Sequence, residues 1–253
     1  MFVVYRDGKP RASGIYRIAG HVVQITTCYF DTHTMCESYA CEGEPEFVVE
    51  TTVEDIFAES ILAKKEDALE GLPERKYPRS LLETTAVYRK LTNYLIDKGI
   101  FLFHGSVIAL DGEGYLFTAK SGTGKSTHTR LWRELFGQRA VMVNDDKPLL
   151  EPTQSGVIVH GTPWNGKHNL GTNISVPLKA ICILERGEEN HIERVEASRA
   201  FPLLLQQSNR SMGAEKMLKT LELLDTALRK IPVYKLQCNM EPEAARVAYE
   251  GMK

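Results

Sequence analysis

The stretch Ala119-Lys120-Ser121-Gly122-Thr123-Gly124-Lys125-Ser126-Thr127 constrains this chain more than any other segment. It has the form of a P-loop. Gly122 and Gly124 let the backbone turn with its N–H groups inward around an anion. Lys125 then reaches the β/γ-phosphates of a nucleotide, and the Ser126 hydroxyl is a ligand for Mg²⁺. The flanks fit that geometry. Tyr115 to Thr118 is a short apolar run suited to a buried strand. Ser126 to Phe136 reads as a helix with Leu131, Trp132, Leu135 and Phe136 on one face. A strand, a glycine turn and a helix N-terminus together favour a bound anion, because the helix dipole and free N–H groups converge there. The usual first glycine is replaced by Ala119. All of Ser121 to Thr127 are candidate nucleotide-binding residues.

A second chemical element follows. Ala140 to Asn144 predicts a strand that ends in Asp145-Asp146, 20 residues beyond Lys125. Carboxylates at a strand tip beside a P-loop hold Mg²⁺ or activate the attacking group. Successive strand residues face opposite ways, so one Asp is expected toward the γ-phosphate and the other toward metal or loop. The competing reading is a solvated Asp-Asp turn. Upstream, Phe101 to Leu110 predicts a strand that returns through an Asp111–Gly114 connection. Pairing Leu110 with Tyr115 places His104 opposite Ser121, at the mouth of the P-loop. The segment 157–171 predicts a strand and a loop rich in Gly, Pro and Asn, of the kind that binds substrate. Its Trp164 and Lys167 are candidate substrate contacts, against the alternatives of packing and a solvated charge. Arg210 is a further candidate phosphate clamp.

Composition sets the limits. With 253 residues, 43% hydrophobic and 25% charged, the chain can bury a substantial core. A net charge of −2 argues against nucleic acid as a partner. No apolar run approaches the roughly 18 residues that span a bilayer, so no membrane partner is expected. The N-terminus is charged after four apolar residues and does not read as a signal peptide. The five cysteines make no CxxC pair, and Cys28, His33, Cys36 and Cys41 match no common zinc spacing. Reduced thiols in a cytoplasmic protein are the expectation. Residues 1–78 read as a small α+β region and residues 79–253 as the nucleotide-binding domain. Hairpin and crossover connections both occur there, which predicts an α/β fold with a mixed sheet.

In order and spacing, His104-Gly105, the Ser121–Ser126 loop and Asp145-Asp146 resemble HPr kinase/phosphorylase and its relatives. Those share a P-loop fold with phosphoenolpyruvate carboxykinase. The similarity is specific over about residues 100–150. It implies an ATP- and Mg²⁺-dependent kinase acting on a hydroxyl of a protein, peptide or small molecule. Asp145 would be the base, His104 its partner, Lys125 a γ-phosphate contact, and Ser126 and Asp146 the metal ligands. It also implies a homo-oligomer, since such relatives assemble. The HGTPWNGKHNLG segment departs from the signature of the HPr enzyme and looks like the divergent HPr-kinase-like proteins, some of which resemble peptide-tailoring kinases. The alternative reading is an ATP-binding regulatory or assembly module without turnover.

Overall fold

A computed structural model describes the chain except for residues 7, 70, 72, 121, 167 and 209–212. Two compact units divide it, Met1–Tyr94 and Leu95–Lys253.

The first unit is built on four strands, β1 (Phe2–Arg6), β2 (Lys9–Ile18), β3 (His21–Thr27) and β4 (Phe47–Glu50), hydrogen-bonded in that order. The first three form an antiparallel meander, and β4 joins parallel to β3 after the short helix α1 (Asp31–Met35). Helices α2 (Val53–Leu69) and α3 (Arg79–Leu95) complete it. Helix α3 buries Leu82, Val87, Leu91 and Leu95, a 3.6-residue stripe legible in the sequence. It ends at Leu95 in a tighter turn, Ile96–Lys98, and Gly99, at φ 83°, stops it in the left-handed conformation that glycine tolerates.

The cysteines are all free thiols. His33 is instead part of a buried polar chain. Its Nδ1 lies 2.7 Å from the Tyr16 hydroxyl, and its Nε2 lies 2.9 Å from Thr27 Oγ1. Because Thr27 donates its own proton to the Tyr29 carbonyl, His33 must donate through Nε2 and accept from Tyr16.

The second unit centres on one sheet, ordered β5-β9-β10-β11-β7-β6-β8, with β13 beside β11 and β12 beside β13. The strands are β5 (Phe101–Leu102), β6 (Ser106–Leu110), β7 (Glu113–Thr118), β8 (Ala140–Asn144), β9 (Leu149–Pro152), β10 (Val157–His160), β11 (Ser175–Arg186), β12 (His191–Val195) and β13 (Val233–Cys238). Strand β11 pairs parallel with β7 and β13 but antiparallel with β10, so the sheet is mixed, as the connections predicted. Each face has its own core. One gathers Phe101, Phe103, Leu116, Ile181 and Leu224 beneath α5 (Ala197–Gln206) and α6 (Ala214–Leu228). The other gathers Phe117, Leu131, Trp132 and Cys182 beneath α4 (Lys125–Phe136) and α7 (Glu243–Met252).

Two local expectations are corrected. The hairpin between β6 and β7 closes in two residues, Asp111 (φ 52°) and Gly112 (φ 87°), so Leu110 pairs with Glu113 and not with Tyr115. Asp-Gly with both residues left-handed matches strand twist and needs no longer loop. The predicted strand 101–110 is also two strands, interrupted at Phe103–Gly105, because β5 pairs with β9 while β6 pairs with β7 and β8. Strands β9 and β12 were not foreseen. β12 lies at the sheet edge and has only two apolar residues, Ile192 and Val195, three apart, so it lacks a strand period.

Burial holds the rings of His33 and His128 below the ordinary histidine pKa, His128 at about 4. Both are therefore neutral in the native protein at pH 7. As pH falls below about 6.5 the unfolded chain takes up these protons first, so stability present above that value is lost on acidification. For His128 the loss spans the interval down to about 4. The urea midpoint is expected to fall between pH 7 and pH 5, and His33→Gln should remove part of the decline. A pH-independent midpoint would contradict the two neutral burials.

Candidate active site

Strand β7 delivers the chain to Ala119, and α4 begins at Lys125. Between them Gly122 (φ 74°) and Gly124 (φ 126°) adopt left-handed backbone with open space where a side chain would be. The glycines are required by conformation, not by crowding. Ala119 is buried in the α4 core cluster, which explains how a small apolar residue replaces the usual glycine. Lys125 Nζ lies 3.4 Å from the Ala119 carbonyl, folded back along the loop. Burial lowers its pKa, and the charge of Asp146 opposes that shift. Ser126 is exposed at the first turn of α4 and Thr127 is half-buried. Ser121, Lys167 and Arg210 lie outside the described residues.

The two aspartates follow the end of β8 in a bend and have different partners. Asp145 is 6% exposed, and its Oδ1 accepts the Gly166 N–H at 2.6 Å. Burial raises its pKa; the N–H groups of Gly166 and Leu170 pull the other way, and the Asp146 charge adds to the rise. Asp146 faces His104, Nδ1 to Oδ1 3.4 Å, and Lys147 Nζ approaches its other oxygen at 3.8 Å. His104 thus partners Asp146 and not Asp145, the partner implied by the resemblance. The pairing of β6 with β8 is the cause: it brings the Gly105 N–H to the Asp146 carbonyl and so sets His104 beside Asp146. The His104 carbonyl accepts the Thr118 hydroxyl at 3.1 Å, and Ser121, its expected neighbour, lies outside the described residues. Gly105 is needed beside it. A Cβ there would meet the Phe117 carbonyl at 3.0 Å, and the Gly105 N–H donates to the Asp146 carbonyl at 3.0 Å.

Asn144 is the residue that sequence reasoning missed. It is fully buried, and its Oδ1 accepts the N–H groups of Asp146 (2.9 Å) and Lys147 (2.6 Å). Its Nδ2 lies 3.1 Å from the Thr162 carbonyl and 3.0 Å from Asn165 Oδ1. One side chain therefore ties the aspartate turn to the 162–165 loop. An Asn after an apolar strand and before Asp-Asp is a side-chain turn signal that could have been read. Trp164 is 4% exposed, and its carbonyl faces Asn144 Nδ2 at 3.3 Å. Arg186, also unforeseen, donates through Nη2 to the Gly122 carbonyl at 2.6 Å and braces the outer side of the P-loop.

Two cavities flank the start of α4. One, about 380 Å³, is lined by Ser126, Thr127, Arg130, Arg133, Asp145 and His168, among others. The other, about 450 Å³, lies along the P-loop and the ends of β11 and β13. A roomier one, about 600 Å³, belongs to the first unit; among its lining residues Lys64 is paired with Glu74 and Arg75 with the adjacent Asp67. It carries neither glycine loop nor aspartate pair, so volume alone does not locate the chemistry. No helix among the described residues is long and apolar enough to cross a membrane.

The second unit is an α/β structure with a mixed sheet, and its sequence is similar to those of HPr kinase/phosphorylases. The chain belongs to the ScmC family: the profile described as SynChlorMet cassette protein ScmC matches residues 79–243. Among curated proteins, the HPr kinase/phosphorylase of Geobacillus sp. (strain WCH70) is 30% identical over 160 residues, 61% of this chain and 49% of that protein. The HPr kinase/phosphorylase of Bacillus cereus (strain AH820) is 26% identical over 213 residues, 80% of this chain and 65% of that protein. The chain thus spans between about half and two thirds of these relatives. Among solved structures, the Hpr(Ser) kinase/phosphatase from Coxiella burnetii is a distant likeness, with a TM-score of 0.34 and 12% identity over 59% of this chain and 94% of that one.

Proposed function

We propose that the protein is an ATP-dependent kinase that transfers the γ-phosphate to a hydroxyl of a peptide, protein or small molecule. The observation that carries this reading is the cavity in which Ser126 of the P-loop helix and the buried Asp145 are brought together. In this reading the loop N–H groups and Lys125 bind and orient the triphosphate. Asp145 accepts the proton of the incoming hydroxyl, and a carboxyl raised by burial is better matched to that task at neutral pH than an ordinary one.

Ser126 and Asp146 carry hard oxygen donors of the kind Mg²⁺ takes, and the Asp146 charge acts on Lys125 of the loop. A cation held by one carboxylate, a hydroxyl and substrate phosphates needs no more. When bound, it would neutralise phosphate charge. His104 is then a positioning residue, holding Asp146 through Nδ1. The acceptor is expected to enter beside Asp145, where Arg130, Arg133 and His168 line the cavity.

The test is Mg²⁺-ATP turnover with a panel of HPr, serine-bearing peptides and small hydroxy compounds. Acceptor-dependent ADP release supports the kinase. Tight nucleotide binding without acceptor-dependent release favours a regulatory module. Lys125→Ala is expected to weaken ATP binding at least tenfold, measured by calorimetry. Unchanged affinity would remove the P-loop from the reading.

A further inference from the structure

The cavity of about 380 Å³ that holds Asp145 carries positive charge that phosphate transfer alone does not use. Ser126, Arg130 and Arg133 fall at helical spacing on one stripe of α4, and all three line the cavity. His168 lines it too, and among the described lining residues Asp145 is the one acid. The two arginines differ. Arg130 donates through Nη1 to Glu134 Oε1 at 2.6 Å, an exposed pair one turn along the helix. Arg133 is half-buried and has no hydrogen bond or ion pair among the described residues. Its Nε is closed off from solvent, so only the Nη end of the fork can meet a ligand. A guanidinium is always charged, and one drawn partly out of water without a counter-charge favours an anion beside it. The nucleotide does not supply that anion. Arg133 stands eight residues beyond Lys125, about 12 Å along the axis, too far down the helix to hold phosphates cradled by the loop.

We propose that Arg133 selects the acceptor by pairing with one of its acidic side chains, so that the acceptor is a serine-bearing peptide or protein segment with Asp or Glu roughly two or three positions from the serine. The inference rests on the kinase reading above and narrows its acceptor. Distance sets the spacing. Arg133 lies seven residues from Ser126, about 10 Å along α4, and an extended chain covers that in about three residues. A small hydroxy acid is too short to place its hydroxyl at Asp145 and its carboxylate at Arg133. Charge sets the sign. Asp145 and the triphosphate are both anionic, so an acidic group on the acceptor is accommodated only at the far end, where Arg133 stands. In the transfer the serine Oγ bonds to the γ-phosphorus, the bond from that phosphorus to the bridging oxygen breaks, ADP leaves, and the hydroxyl proton passes to Asp145.

The experiment supplies Mg²⁺-ATP and serine peptide libraries, randomised except for Asp, Asn or Lys fixed in turn at each position around the serine. Phosphate incorporation is measured for wild type, Arg133→Gln and Arg133→Glu, with small hydroxy compounds as a separate arm and ATP binding alongside. Wild type is expected to favour Asp over Asn roughly tenfold at one such position, the equivalent of one charge-assisted pair. Arg133→Gln should bring that ratio close to one, and Arg133→Glu should favour Lys there, with ATP bound as tightly as by wild type. The wild-type selection needs no variant, so it decides even where Arg133→Glu does not fold. No Asp preference in wild type, a preference that survives in Arg133→Gln, or weakened ATP binding in that variant overturns the role of Arg133. Transfer to small hydroxy compounds but to no peptide overturns the acidic acceptor while leaving the kinase reading intact. No transfer to any acceptor overturns the kinase reading and this inference with it.

Discussion

Asp145→Asn is expected to lower acceptor-dependent ADP release by about 10²–10⁴-fold while ATP affinity stays within a few-fold of wild type. Asn is nearly isosteric and still offers an oxygen to the Gly166 N–H that now bonds Oδ1 at 2.6 Å, so the loop is held. What is lost is the ability to take a proton. The substitution therefore separates chemistry from binding, and single-turnover phosphoryl transfer beside calorimetric ATP binding reads both. Turnover equal to wild type would remove Asp145 as base. The pH profile gives an independent check. Burial raises the Asp145 carboxyl, so the acid limb of kcat should lie above the ordinary carboxylate value of about 3.9 and should be absent from the residual activity of the variant.

Asn144→Ala is expected to destabilise the protein by about 2–4 kcal/mol and to abolish most turnover, although Asn144 need touch no substrate. The variant strands the half-buried N–H groups of Asp146 and Lys147 and removes the amide that faces Thr162 and Asn165. Both the aspartate turn and the 162–165 loop lose their common anchor. The check is urea unfolding followed by far-UV circular dichroism, beside the turnover assay. A loss below 1 kcal/mol with full activity would show that the Ser106 Oγ and Gly105 N–H bonds to the Asp145 and Asp146 carbonyls hold the turn unaided.

The glycine turn of the candidate site was legible because its pattern is local: Gly122, Gly124, Lys125 and Ser126 lie within five positions between a strand and a helix. The mixed α/β core was legible for a similar reason, since its strands are short apolar runs and its helices carry 3.6-residue stripes. The partner of His104 was not. It depends on how β6 pairs with β8, which brings the Gly105 N–H to the Asp146 carbonyl and so sets His104 beside Asp146. Arg186 and His128 were equally hidden. Arg186 lies more than 60 residues from the loop it braces. His128 is an ordinary helical residue until the fold buries it and Trp132 fixes its tautomer.

The sequence alone determined a glycine turn between a strand and a helix and an Asp pair at the tip of a following strand, because these are local patterns of conformation and polarity. Only the tertiary structure decided that Asp145 is buried against Gly166 and that Asp146 faces His104. Those facts arise from contacts between distant segments, and their geometry is set by strand register and core packing, which no single window of residues contains.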